Sequence, residues 1–216
     1  MNRRSFVVAG AIAGGAVLAS NLAFMPVAPP QAMRIEEDWQ LVLNDPRTAV
    51  TAPQFHTVMA PATSMNGLYF QVTWNYRELE SFSDGGLQMQ IWNGESDFAS
   101  REVGSQPLSV SAETVSWTSR MSTDTARVTF SIVNGHSSSW GAFGGESMTV
   151  RTSKPIANLD TYSPNISVAN SWITFGSNRV QSLVLRAIRK YDGDGNLVSE
   201  DANPRVIYQN SDGGGQ

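Results

Sequence analysis

Between Asn66 and Gly94 the chain reads NGLYFQVTWNYRELESFSDGGLQMQIWNG, and its apolar residues recur at every second position. Leu68, Phe70, Val72, Trp74 and Tyr76 share one parity, while Gln71, Thr73 and Asn75 take the other. Leu87, Met89 and Ile91 repeat the pattern against Gln88 and Gln90. A period of two is the mark of a strand with one buried face, and turn residues before, between and after the two runs make them a hairpin. Few other patterns restrict a chain so strongly, because a helix would scatter these apolar residues around its circumference.

The same signal continues. Trp39, Leu41 and Leu43 alternate before Asp45-Pro46, where a residue without an N–H ends the strand. Residues 47 to 66, with Pro53 and Pro61, read as a long irregular connection. Val115, Trp117, Ser119 and Met121 fall on one side of a further strand; Ala126, Val128, Phe130 and Ile132 on one side of the next; Met148 and Val150 follow. Turn signals return at intervals of about ten residues, the spacing of an all-β sandwich or barrel. Val180 to Tyr191 fits either a strand or a helix, and its β-branched content and the Asp-Gly-Asp-Gly turn behind it favour the strand. The expected fold is a single antiparallel β-sandwich, jelly-roll or lectin-like, of about ten to twelve strands.

The first 32 residues differ in kind: two arginines, an apolar glycine-rich run from Phe6 to Ala19, and a softer stretch ending Pro29-Pro30-Gln31-Ala32. That is the layout of an export signal. Asn2-Arg3-Arg4-Ser5-Phe6-Val7 resembles the twin-arginine signals of bacteria, although Val8 stands where such signals often carry a lysine. The resemblance covers the leader alone and implies passage across the inner membrane in the folded state, to the periplasm, envelope or medium. Cleavage fits after Val17-Leu18-Ala19 or after Ala32; an uncleaved anchor over residues 6–28 is the alternative, and membrane contact is expected only through it. The expected organisation is a signal over 1–32, the sandwich over 33–210 and a disordered tail over 211–216.

Composition excludes more than it selects. The leader holds two arginines and no acid, so without it the net charge moves from −4 to −6, the wrong sign for a nucleic-acid partner. With no cysteine there is no disulfide and no thiolate metal site. His56 and His136 lie 80 residues apart with no metal-binding spacing, and His136 opens the polar run Ser137-Ser138-Ser139 rather than a nucleophile motif. The close acid pairs, Glu78 with Glu80 and Glu95 with Asp97, fall at a strand end and in an expected loop, and read as solvated turn acids. Asp192-Gly193-Asp194-Gly195-Asn196 opens like a calcium loop but has Leu197 at the sixth position and no acid at the twelfth, so a tight turn is the better reading. No cofactor or metal is implied.

Tryptophan is the informative residue. Trp74 and Trp117 fall on apolar faces, whereas Trp92 shares parity with Gln88 and Gln90, and Trp172 with Asn170 and Thr174. Trp140 lies in a glycine- and serine-rich loop from Asn134 to Gly145. Indoles beside amides and hydroxyls suit sugar rings, whose C–H faces stack while their hydroxyls hydrogen-bond. The expectation is an exported, non-enzymatic protein that binds a polysaccharide or another envelope component through Trp92, Trp172 and Trp140. A sandwich glycosidase or polysaccharide lyase, and a self-associating structural envelope protein, are the alternatives.

Overall fold

A computed structural model describes residues 29–45, 53–74, 86–104, 108 and 110–211. The leader through residue 28, Glu78 and Glu80, and the tail beyond Ser211 lie outside the described residues. Thirteen strands and one helix are described: β1 (Arg34–Leu43), β2 (Gln54–Met59), β3 (Leu68–Trp74), β4 (Gly86–Asn93), β5 (Ser96–Gly104), β6 (Thr114–Thr123), β7 (Val128–Ser137), β8 (Gly141–Phe143), β9 (Thr149–Thr152), α1 (Pro164–Asn170), β10 (Trp172–Phe175), β11 (Val180–Tyr191), β12 (Leu197–Asp201) and β13 (Arg205–Gln209). They form two antiparallel sheets. One has the order β12-β11-β1-β6-β7-β8, with β13 also on β11 and β9 also on β7; the other has the order β10-β2-β3-β4-β5. The all-β sandwich expected from the alternation is what the chain adopts. The strand number exceeds the expected ten to twelve because short pieces such as β8 add pairings that a periodicity of two cannot register in three residues.

Leu68–Trp74 and Gly86–Asn93 pair antiparallel, as the expected hairpin requires, with Leu68 opposite Asn93 and Trp74 opposite Leu87. Two expectations are corrected. Residues 54–59 are not part of an irregular connection but strand β2, paired on both sides, with β3 and β10. All six of its residues are buried, so the two faces do not alternate in polarity and the strand has no sequence signature. Asp97, expected in a loop, is on β5 opposite Trp92. Residues 180–191 are a strand, paired with β1 along one side and with β12 and β13 along the other. The helix is elsewhere, at Pro164–Asn170, where proline occupies the first turn and loses no hydrogen bond there.

The inner faces meet in an aromatic spine. Trp39 stacks on Trp117 at 6.1 Å, Trp117 meets Trp74 at 4.5 Å and Phe55 at 6.0 Å, and Trp74 stacks on Trp140 at 5.8 Å. Ser119, alone among the inward residues of β6 in being small and polar next to an indole, accepts the Trp117 Nε1–H at 3.3 Å. The two outer faces differ. On the eight-stranded sheet Glu36 lies among Arg34, Arg120 and Arg189, and Asp38 takes two bonds from Arg189 at 2.6 and 2.7 Å and one from Thr118. Cross-strand ion pairs therefore cover that face, and Tyr191 lies under the Arg34 guanidinium at 3.9 Å. The edge made by β12 and β13 exposes Leu197, Val198 and Val206 but is interrupted at Asn203-Pro204 and carries Glu200 and an Asp201–Arg205 ion pair, features that oppose edge-to-edge growth.

The turn after β8 is tightly seated. Gly144 has φ of +112°, and a Cβ there would stand 2.8 Å from the Ile132 carbonyl oxygen and 3.0 Å from the Val133 Cα. Gly141 also has positive φ but faces open space. Gly144→Ala is expected to cost about 1–3 kcal/mol through strain and a backbone clash. Thermal unfolding is expected to show a clearly smaller loss for Gly141→Ala, and equal losses would refute the clash.

Candidate functional site

The outer face of the five-stranded sheet is built by the parity opposite to the core. Its first row runs Trp172, His56, Thr73, Gln88 and Glu102 across β10, β2, β3, β4 and β5. The second runs Val58, Gln71, Gln90 and Ser100, and the third Tyr69, Trp92 and Asp97. Exposure along the first row is lowest at His56 and Thr73 and rises to both edges, with the Trp172 indole stacked over His56. No lysine or arginine stands on these rows among the described residues, and the acids sit on the β5 edge.

Two aromatic pairs occupy opposite corners. Trp172, 43% exposed, stacks on the His56 imidazole at 4.3 Å. Its position follows from Ser171, whose Oγ accepts the Val58 N–H at 3.1 Å and pins the entry of β10 beside β2. Trp92 is half-buried and lies parallel to Tyr69 at 6.2 Å, with its Nε1–H unpaired and buried. Four residues along the strands and three strand spacings separate the corners, about 13 Å one way and about 14 Å the other. Between them Gln71 Nε2 donates to Thr73 Oγ1 at 3.3 Å and Gln90 Nε2 to Asp97 Oδ2 at 3.3 Å.

His56 Nδ1 is 2.9 Å from Thr73 Oγ1 and 3.4 Å from Gln71 Nε2, so its ring is oriented by a hydroxyl and an amide rather than by a carboxylate. Burial pushes its pKa down to about 4, leaving the imidazole neutral near pH 7. A neutral ring under an indole is a flat stacking surface and a hydrogen-bonding edge together. Burial likewise pushes the Tyr69 hydroxyl up, keeping it protonated.

The third expected contact, Trp140, is placed apart from this face. It stacks on the inward-facing Trp74 and meets Phe143 edge-on at 5.2 Å. The loop that carries it is clamped: Trp140 N–H donates to Ser137 Oγ, and Glu113 accepts both the N–H and the hydroxyl of Ser139 at 2.7 Å. Asp192 closes the β11–β12 turn, its carboxylate accepting the N–H groups of Asp194 and Asn196 and the Asn196 amide. Among the described residues no group of three or more acidic or histidine side chains is arranged to hold a metal ion.

Alternation in the sequence located Trp92 and Trp172 but left out Tyr69 and His56. Tyr69 was legible, since it shares parity with Gln71 and Thr73; His56 was not, because β2 carries no alternation. Alternation does not single out Glu37 either. It points inward between Ile35 and Trp39, fully buried, and accepts hydrogen bonds from Trp39 Nε1 at 3.1 Å, from the Tyr162 hydroxyl at 2.6 Å and from the Ser167 hydroxyl. Burial outweighs these bonds and pushes its pKa up to about 7. It ties β1 to α1, the element that leads into Ser171 and Trp172. No protein-family model matches the chain, and no curated protein matches it in sequence.

Proposed function

We propose that the protein is an exported, non-enzymatic component of the cell envelope that binds an uncharged glycan on the outer face of the five-stranded sheet. The observation that carries this reading is that Trp172 and Trp92, each beside a parallel ring, share one polar face with Gln71, Gln88 and Gln90 between them. Pyranose rings offer apolar C–H faces to indoles and hydroxyls to amides, and this face supplies both. The lack of lysine and arginine on its described rows favours a neutral chain over an acidic one. The separation of the two corners requires an oligosaccharide, because one sugar cannot touch both.

Affinity electrophoresis through neutral and acidic polysaccharides tests the reading. Trp172→Ala is expected to weaken binding at least about tenfold, the scale of one lost stacking contact, while leaving the unfolding temperature almost unchanged because the indole is exposed. Trp92→Ala is expected to weaken binding and to lower stability slightly, given its half-burial. Retardation by no polysaccharide, or equal retardation of wild type and Trp172→Ala, would remove the proposal.

A further inference from the structure

A seven-residue helix cannot hold itself together in water, so α1 depends on what the fold gives it. Its only buried side chain is that of Ser167, and Val168 beside it is partly buried. The Ser167 hydroxyl donates to Glu37 Oε1 on β1, and the Tyr162 hydroxyl, from just ahead of the helix, donates to the same oxygen at 2.6 Å. A polar anchor therefore seats the helix in place of the apolar stripe that usually attaches one. The chain on either side is tied to both sheets. The Leu159 N–H donates to the Ala32 carbonyl at 2.7 Å, and the Thr161 hydroxyl to the Pro61 carbonyl at 2.9 Å. Past the helix, the Val58 N–H donates to Ser171 Oγ at 3.1 Å, and the Trp172 indole lies on His56. Residues 159–172 form one strap from the start of β1 to the corner of the five-stranded sheet, with Glu37 beneath it.

The anchor is titratable. Trp39 Nε1–H, at 3.1 Å, is the third donor to the fully buried Glu37, and all three donors are neutral. Around them stand Arg205 of β13, which acts on Glu37 electrostatically while paired with Asp201, and Lys190, 5.5 Å over the Tyr162 ring. Burial keeps the Tyr162 hydroxyl protonated, and Asp160 and His56 lie at the two ends of the strap. Burial also raises the Glu37 pKa to about 7. Ionised under a closed strap, Glu37 is an anion cut off from water; withdrawing Ser167 and Tyr162 admits water, so ionisation favours the open strap.

We propose that Glu37 is a positioning residue for Trp172: residues 159–172 are a latch that its neutral carboxyl holds shut and its carboxylate loosens, so that the Trp172 corner of the face is secured below neutral pH and opens more often above it. The bearing on binding rests on the glycan reading of that face; the latch itself does not. Four residues separate Ser167 from Trp172, so a helix that leaves its seat pulls on Ser171, whose hydroxyl pins β10 beside β2. Opening returns Glu37 to its ordinary value, so the ratio of open to closed strap rises about tenfold per pH unit from about 4.5 to about 7 and levels off above.

Hydrogen exchange of the full chain, read by mass spectrometry from about pH 5 to about pH 8 on wild type and Glu37→Gln, tests it. Glutamine imitates the neutral carboxyl, its carbonyl accepting from Trp39 and its amide donating to the hydroxyls of Tyr162 and Ser167. Comparing the two proteins at each pH cancels the intrinsic exchange rate and the opposed titration of His56. Protection of residues 164–175 in Glu37→Gln relative to wild type is expected to grow about tenfold per unit up to about pH 7 and then stay constant. In wild type this stretch is expected to be less protected than β6 and β7. A ratio that does not change with pH overturns the proposal. So does a stretch as protected as β6 and β7, because the strap then opens only with the whole fold, and so does a changing ratio that stops at residue 170 and leaves Trp172 outside the latch. Ser167→Ala removes the anchor but not the titrating group, and is expected to lower protection of α1 about fivefold at pH 5, the scale of one hydrogen bond; an unchanged value overturns the anchor. No ligand enters these measurements, so a latch that behaves in this way in a protein that no polysaccharide retards removes the glycan reading alone.

Discussion

Trp117→Ala is expected to destabilise the protein by about 3–5 kcal/mol, the range for removing a buried aromatic side chain. The size follows from where the indole sits. Trp117 belongs to β6 of the eight-stranded sheet, yet it contacts Trp74 at 4.5 Å and Phe55 at 6.0 Å across the interface as well as Trp39 on its own sheet. Truncation opens a cavity at the junction of both layers and leaves the buried Ser119 hydroxyl without the Nε1–H it accepts. Since a whole domain is stable by only about 5–15 kcal/mol, one substitution here removes a large fraction of the total. The unfolding temperature is expected to fall by roughly 6–20 °C, at 2–4 °C per kcal/mol for a chain of this size. Trp140→Ala, acting on the half-buried end of the same spine, is expected to cost less and to leave glycan binding intact. A fall of under about 1 kcal/mol for Trp117→Ala, measured by urea unfolding, would show that the spine is not what joins the sheets.

The spine also shows which parts of the fold a sequence can carry. Trp74 and Trp117 announce themselves as core because each sits in a run where polarity alternates, and alternation is a local property. The β2 strand fails that condition: β3 and β10 flank it, and α1 and the Trp172 indole lie against it, so Gln54, His56 and Thr57 are buried along with Phe55 and Val58. A strand of that kind differs from a loop only in its partners, and partners are set by topology. Glu37 is hidden for the same reason. Its parity with Ile35 and Trp39 points inward, but a carboxylate there is tolerable only because Tyr162 and Ser167 reach it from 125 and 130 residues away. Nothing within a window of local sequence foretells those donors.

The candidate site divides along the same line. Parity alone places Trp92 and Trp172 on the polar side of their own strands. That the two polar sides are one surface depends on β10 returning to pair with β2 after seven intervening strands and a helix, a connection no periodicity encodes. Trp140, read from the composition of its loop, instead lies on Trp74, in a loop held down by hydrogen bonds that Ser139 donates to Glu113 and Trp140 N–H donates to Ser137. Loop composition says that a backbone is free to turn; it does not say where an indole carried by that loop finds apolar surface.

Glu37 and His56 are expected to give the protein two opposed pH dependences. The folded state raises Glu37 from 4.5 to about 7 and lowers His56 from 6.5 to about 4. Glu37 therefore binds its proton more tightly when folded; its contribution is full below about 4.5, declines as pH rises, and is gone above about 7. His56 does the reverse, contributing fully above about 6.5 and losing that contribution as pH falls towards about 4. The two slopes oppose each other between pH 4.5 and 6.5, so wild type shows a flatter profile from these groups than either single variant. Glu37→Gln is expected to uncover the histidine, with stability rising from pH 4 to 6.5. His56→Gln is expected to uncover the glutamate, with stability falling by on the order of 3 kcal/mol from pH 4.5 to 7. Acids that the fold lowers, such as Asp124 and Asp192, act on the acid side of this window and are common to all three proteins. Urea midpoints at unit steps of pH from 4 to 8 measure the profiles, and three parallel curves would refute the assignment. The same protonation reaches the proposed binding face: below about pH 4 a charged imidazole is forced under Trp172, and the proposed glycan binding is expected to weaken there in wild type but not in His56→Gln.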